Sequence, residues 1–472
     1  VTTRRLFRFL DSRTGGASVT AKALRYVFPD HWTFLFGEIA MYAFLILVAT
    51  GTYLALFFEP STAHVVYHGS YAPLRGTEMT KAYASALNLS FEVQAGLLIR
   101  QVHHWAADVF LAAITVHLMR IFFTGAFRKP RDVNYYVGLT MLVLAVVEGY
   151  VGYSLLDDLL SGMGLAIGNG VALSVPVVGG QLGTLIWGGR FPGTPDFFSR
   201  LFFVHVFVFP ALIATLMAVH LALIATPHHT QFRGRGRREG NVVGTPMWPA
   251  YALRSIGLFF AVAAVLFLLG GLVQINPIWQ WGPYEPWLGT NGAQPDWYLG
   301  WLIGALRLMP HFDVVIGNYT LIPNPFWGGV LFPAAVFGFL YLWPTIERIW
   351  TGDRGVHNLL DRPRDNPTRT AVGAAVFTFV ATIFFAGSAD RAFIQFGVPY
   401  EAQLWGYRAL VVLLPIVVFV LTRRLCVRLR DGGGHPARES GARLVERPRE
   451  AAEPLFKAEG GGTERSWRRA RR

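Results

Sequence analysis

The chain has 472 residues, 53% of them hydrophobic and only 15% charged, with a mean hydropathy of +0.38. That balance belongs to a polytopic membrane protein and excludes an ordinary soluble enzyme. The net charge of +13 does not point to nucleic acid, because the basic residues gather between alternate apolar runs and in the tail, as the positive-inside rule produces.

Residues 1–35 are basic, broken by Pro29, and read as an amphipathic cytoplasmic segment. Apolar runs long enough to span a bilayer follow at 36–58, 98–122, 134–156, 200–225, 252–273, 326–346, 370–388 and 403–424. The expected fold class is therefore all-α, a polytopic membrane protein with eight transmembrane helices. The first run is too long for a signal sequence and lacks a cleavage pattern, so it is expected to stay as a span. Regions 1–35, 120–132, 226–250 and 347–369 hold about 19 Lys and Arg, against about 5 in the opposite loops. Both termini are thus expected in the cytoplasm, with the protein multi-pass in the cell membrane.

Two opposite-side loops are too long for simple connections. Loop 157–199 contains an apolar stretch from Met163 to Val175, ended by Pro176, which is expected to form a short surface helix. Loop 274–325 is rich in Pro and Trp and contains Gln294-Pro295-Asp296-Trp297-Tyr298. Long ordered loops commonly carry function, although aromatic loops also simply anchor the membrane interface. Four parts are expected: the segment 1–35, a four-helix half 36–225, a second four-helix half 226–425, and a charged tail 426–472. The tail lacks apolar periodicity from Gly432 onward and is expected to be disordered.

Four histidines carry the chemistry. His103 and His117 lie 14 residues apart in the second run, and His205 and His220 lie 15 apart in the fourth. Either spacing returns to nearly the same helix face about 21–22 Å further along. Two such helices facing each other present one imidazole from each side at two membrane depths, the axial ligation of two stacked haems in a four-helix dihaem bundle. An iron held by two histidines has no open position and passes electrons. A lone buried His is more often a hydrogen-bonded core residue, but two matched pairs in membrane spans are harder to explain that way. The single cysteine, Cys426, cannot supply a c-type haem attachment, an internal disulfide or an iron–sulfur cluster. The haems are therefore expected to be non-covalent, and any iron–sulfur or c-type centre must belong to a partner.

Arg100 and Arg120 lie one turn from His103 and His117, where they could neutralise haem propionates. The alternative is that they snorkel to the interface. Gly37 and Gly51, and Gly138 and Gly152, repeat the 14-residue spacing in two further spans. A flat macrocycle edge approaches a helix only where no Cβ intervenes.

His103…His117-Leu118-Met119-Arg120, Arg200…His205…His220, Gly152-Tyr153-Ser154-Leu155 and Pro295-Asp296-Trp297-Tyr298 resemble the motifs of cytochrome b from cytochrome bc complexes. Asp157-Asp158-Leu159-Leu160-Ser161-Gly162, His229-Thr230-Gln231-Phe232, Gln274-Ile275-Asn276-Pro277-Ile278-Trp279 and Asn358-Leu359-Leu360 with Arg362-Pro363-Arg364-Asp365 resemble the actinobacterial quinol–cytochrome c reductase subunit more closely. The resemblance runs from about residue 5 to 430. It implies two b haems, quinone sites on opposite membrane faces, and menaquinol as substrate. It also implies a Rieske iron–sulfur subunit, a c-type (dihaem) cytochrome subunit, a homodimeric complex, and a haem–copper terminal oxidase in a supercomplex. The chain departs from the family pattern at Leu156, where Pro is usual, and at Arg254 and Ser255, where the mitochondrial form has Lys and Asp at the inner quinone site.

Under this resemblance quinol is oxidised between the Pro295–Tyr298 loop and the short helix near Gly164 to Val175. Asp296 is the candidate proton acceptor and Tyr298 a hydrogen-bond partner for the quinone oxygen. Asp296 could instead cap a short helix. Two roles are open to Glu148, one turn before Gly152: a proton exit path, or a bond to a neighbouring helix. At the inner site Arg254, with His228 or His229, is expected to act on quinone. Two rival readings are a dihaem membrane anchor of a dehydrogenase, and a transporter whose buried histidines relay protons.

Overall fold

The computed structural model of the protein describes residues 9, 11–13, 15–289, 294–432 and 445–448. Among these, eight helices are long and apolar enough to cross a membrane: α1 Trp32–Ala55, α2 Gly96–Thr124, α3 Asp132–Ser154, α4 Phe197–Ala225, α5 Met247–Leu272, α6 Trp327–Thr351, α7 Pro367–Ala386 and α8 Tyr400–Asp431. Each lies on one of the apolar runs, because a backbone in hydrocarbon must satisfy its own hydrogen bonds and only a helix does so within one segment. Polar groups mark the ends. The His31 ring accepts from the Thr33 amide ahead of α1, and Asn366 accepts from the Arg369 amide at the start of α7, with Pro367 in the first turn. Gly125 closes α2 at φ 65°, a left-handed cap suited to glycine.

Large apolar side chains such as Phe260, Leu268, Val412 and Leu413 point outward, as a lipid-facing surface requires. Inside, Phe44, Phe110, Tyr135 and Leu139 pack in one cluster with Tyr298 and Trp343. That cluster draws on both sides of residue 225.

One face of the bundle collects four basic segments. Val27–Phe28 pairs antiparallel with Thr245–Pro246, and Gln231–Phe232 pairs parallel with Leu359–Leu360. Arg131 donates to the carbonyls of His228 and His357 and to Asn358 Oδ1. The tail departs from expectation in two places. Helix α8 runs on to Asp431, and Val445–Pro448 forms a strand on Asn241–Gly244. The physical reason is that strand 241–246 pairs along one edge with Val27–Phe28 and offers its remaining backbone groups to any extended segment in reach. The rest of the tail lies outside the described residues, as do 1–8 and 290–293 of the segments discussed above.

The opposite face holds the long loops. The helix expected after Met163 is present and starts earlier, as Leu159–Leu173, followed by a second, Gly179–Trp187. Loop 274–325 contains the helix Gly300–Leu308 and a hairpin, Val314–Ile316 with Tyr319–Ile322. It is held down by Tyr83, whose hydroxyl donates to the Ile278 carbonyl at 3.0 Å.

Candidate functional site

Helices α2 and α4 bring the four histidines together in the expected pairs. The rings of His103 and His205 lie 6.4 Å apart, centre to centre, and those of His117 and His220 lie 6.5 Å apart. A metal–imidazole bond is about 2 Å long, so two on opposite sides of one ion, plus the half-width of each ring, separate ring centres by about 6 Å. Among the described residues no three or more His, Cys, Asp or Glu converge on one point. Each level thus offers two protein ligands and must take the remainder from the group it binds, as a haem does.

The unequal spacings are reconciled by the backbone. Val204–Val208, which includes His205, is a π-helical turn. It absorbs one extra residue, so a 15-residue spacing on α4 faces a 14-residue spacing on α2. Neighbours at Nδ1 turn three of the rings: Thr50 Oγ1 at 2.9 Å from His103, Glu148 Oε1 at 2.9 Å from His205, and the Asn134 carbonyl at 3.2 Å from His220. Such contacts fix ring orientation and leave Nε2 as the metal-facing atom.

The four glycines each face one of these rings. A Cβ on Gly37 would lie 3.2 Å from His117, one on Gly51 3.1 Å from His103, and one on Gly138 3.3 Å from His220, while one on Gly152 would collide with His205. Arg100 and Arg120 are buried, and each keeps its Nε and Nη2 without a hydrogen-bond partner. Arg100 also donates to the Asn276 carbonyl, and Arg120 lies over the Phe34 ring. Neither snorkels. Buried guanidinium donors left unpaired at both levels call for an anion, and carboxylates such as haem propionates supply one. The residues fit two haems.

At the outer level the Asp296 carboxylate caps no helix: it precedes the turn Trp297–Leu299 without a side-chain cap bond. Instead it lies 2.8 Å from His104 Nε2 and accepts from the Tyr298 hydroxyl at 3.2 Å. Burial, then the Asp296 charge, pushes the Tyr298 phenol well up from its ordinary value, so it donates rather than ionises. Glu148 Oε1 lies at ion-pair distance, 2.9 Å, from Nδ1 of His205, a haem-ligand candidate on the neighbouring helix. Trp297 and Tyr298 line an apolar cavity of about 450 Å³ that runs toward Phe337 and Phe384. None of its lining residues comes from Leu159–Leu173, so this space is not the one expected between the loop and that helix.

At the inner level a cavity of about 540 Å³ reaches from His117 and His220 to His228 and His229, and includes Tyr251 and Ser255. His229 Nδ1 bonds the Tyr26 hydroxyl at 3.0 Å. Arg254 is not among the residues that line this cavity, and its half-exposed side chain reaches Asp30 at 3.8 Å. Residues 251 and 255 share a helix face, and one step along the helix turns 254 away by about 100°. Sequence reading missed His104 and Glu38. The adjacency of His104 to His103 masked it. Glu38 receives hydrogen bonds from Tyr251 and Ser255, both at 2.5 Å, and only its place beside Gly37 could have suggested it.

Residues 108–283 match the family described as "Cytochrome b(N-terminal)/b6/petB". The chain is 47% identical over 422 residues to the cytochrome bc1 complex cytochrome b subunit of Mycobacterium leprae, covering 89% of this chain and 76% of that protein. It is 45% identical to the subunit of the same description from Streptomyces coelicolor, covering 90% and 78%. Among solved structures it superposes on a chain of a "Hyperthermophilic respiratory Complex III" with a TM-score of 0.61 at 19% identity, covering 88% of this chain and 98% of that one. The last likeness speaks to the fold alone.

Proposed function

Because the chain belongs to the cytochrome b subunits of cytochrome bc1 complexes, an oxidoreductase family, we propose that it runs both quinone reactions of a Q-cycle coupled to proton translocation. The observation that carries this reading is the pair of facing histidine pairs, each with a buried arginine beside it whose Nε and Nη2 have no hydrogen-bond partner. His103 and His205 would hold the outer haem and His117 and His220 the inner one, with Arg100 and Arg120 placed to pair with their propionates. When bound, the two haems would supply one-electron couples. Residues 36–225 form the haem-holding half, and 226–425 complete the quinone sites.

On the outer side Asp296 accepts a proton from quinol, while Tyr298 donates a hydrogen bond to its oxygen. Glu148 lies beside His205 Nδ1 and keeps both of its roles, a contact that orients this ring and a place on the proton exit path behind Asp296. On the inner side His229 faces the quinone. The substrate is menaquinol, consistent with the actinobacterial relatives. The partners are a Rieske iron–sulfur subunit and a c-type cytochrome subunit, dihaem in this reading. The complex is a homodimer that associates with a haem–copper oxidase in the cell membrane. Both termini are cytoplasmic, because the basic segments that meet on one face fall on the positive-inside side.

The test is spectroscopic. The purified complex should give a reduced-minus-oxidised b-type band and about two acid-extractable haems per chain. Asp296→Asn should keep both and slow haem reduction by quinol by about a hundredfold. Absence of the haems would overturn the reading, and a wild-type rate in Asp296→Asn would remove the proton role.

A further inference from the structure

The inner cavity lacks a carboxylate on α5, where Ser255 stands. The structure places one there from another helix. Glu38, on the first turns of α1, lines the same cavity as His117, His229, Tyr251 and Ser255. Its two oxygens are divided between two hydroxyls: Tyr251 donates to Oε1 and Ser255 to Oε2, each at 2.5 Å. The Tyr42 hydroxyl lies 2.5 Å from Ser255 Oγ and extends the chain. Tyr251 is fixed by stacking on Phe28, with ring centres 3.8 Å apart and planes 8° from parallel. A carboxylate in a membrane span is costly and needs a reason. Three hydroxyls set around it, two of them on the cavity wall, give a route for a proton rather than a lattice for packing.

We propose that Glu38 supplies a proton to the quinone reduced in this cavity, passing it through the Ser255 or Tyr251 hydroxyl. The proposal rests on the inner quinone reaction stated above and names its missing proton donor. Reduction of a quinone to quinol takes two electrons and two protons. The electrons come from the haem side of the cavity. One carbonyl oxygen takes its proton from Glu38 through the hydroxyl and the other takes its proton from His229, and both donors are reloaded from the cytoplasmic face. Other groups also bear on Glu38. Tyr42 reaches Ser255 from Glu38's own helix, and Arg254 faces outward from α5 to Asp30. Lys22, Tyr26, Arg120, Arg131 and His228 line the shared cavity from the remaining elements.

The experiment uses the purified complex with its haems pre-reduced and a soluble menaquinone analogue as oxidant, with the outer site blocked by Asp296→Asn. Haem content is measured first. If the wild type lacks b haems, the underlying reading fails and not this assignment. With haems in place, Glu38→Gln should slow reoxidation by about tenfold or more. The wild-type rate should fall toward alkaline pH, because a donor must carry its proton to give it; Glu38→Gln should lose the part of that fall that Glu38 contributes and keep the part that comes from His229. A merely structural role would leave the pH profile in place. Glu38→Asp, which keeps the carboxylate, should retain the pH dependence at a reduced rate. If Glu38→Gln does not assemble, Glu38→Gln with Ser255→Asp returns a carboxylate to the same cavity. Recovery of assembly and of pH-dependent reoxidation supports the proposal. Recovery of assembly alone, or a Glu38→Gln rate within twofold of wild type across about pH 6–8, overturns it.

Discussion

At the scale of single residues, the site is built by what is left out as much as by what is present. Gly152 lets the His205 ring come closer than a Cβ permits, and Gly37 leaves the His117 ring where a Cβ would crowd it at 3.2 Å. Alanine there forces either the ring or the helix to move, a misfit that costs about 1–3 kcal/mol in a packed interior. Gly152→Ala should therefore remove or shift the outer b band, and Gly37→Ala the inner one. Gly257 and Gly338 sit in spans too, but a Cβ on either meets nothing within 4 Å, so Gly257→Ala and Gly338→Ala should keep both bands. Redox titration of the four variants separates these outcomes. Equal loss in all four would mean that the spans merely dislike added methyl groups. The glycine spacing was legible in the sequence. That each glycine stands against one of the four imidazoles was not, since the facing ring comes from another helix.

Among elements, α4 shows how a helix tolerates a register error. Its histidines are 15 residues apart and those of α2 are 14 apart, and the π turn Val204–Val208 takes up the difference. Deleting Phe207 from that turn should convert it to ordinary α-helix with a 14-residue spacing, and both haems should remain. Inserting one alanine after Phe207 should rotate His205 by about 100° from its partner. The outer haem should then be lost while the inner one stays. Haem spectra of the two variants check this, and loss of the outer haem in the deletion would show that the π turn is needed for its own sake. Hydrophobic periodicity could not reveal the turn, because α4 is apolar nearly all round and one residue more or less leaves its pattern unchanged.

At the scale of the whole molecule, one buried ion cluster ties the two halves together. Arg369, on α7, bonds Glu347 on α6 through Nε and Nη2. Its Nη1 donates to Asp361 at 2.8 Å, and Asp361 also takes Arg128 from the loop after α2 at 2.9 Å. The Arg369 side chain is 1% exposed. Removing one partner of such a buried pair costs about 3–5 kcal/mol, because the other charge is left without compensation. Arg369→Met should lower the temperature at which the detergent-purified complex loses its haem spectrum. Arg369→Met with Glu347→Gln should recover part of the loss. An unchanged melting temperature in Arg369→Met would show that the cluster adds nothing to holding the halves together.

The sequence by itself determined the eight spans, the two histidine pairs, the paired arginines and the loop that carries Asp296 and Tyr298. Each of these is fixed within one segment, by hydrocarbon that forces a helix and by a helical period that sets which residues share a face. The tertiary structure decided what lies opposite. His104 and Asp296 are 192 positions apart, and Glu38 and Ser255 are 217 apart. It also turned Arg254 outward to Asp30 and laid Val445–Pro448 on a strand from the middle of the chain. Those outcomes depend on how each span is rotated about its axis. A span apolar on nearly every side carries little record of that rotation, so only the packing of helix against helix settles it.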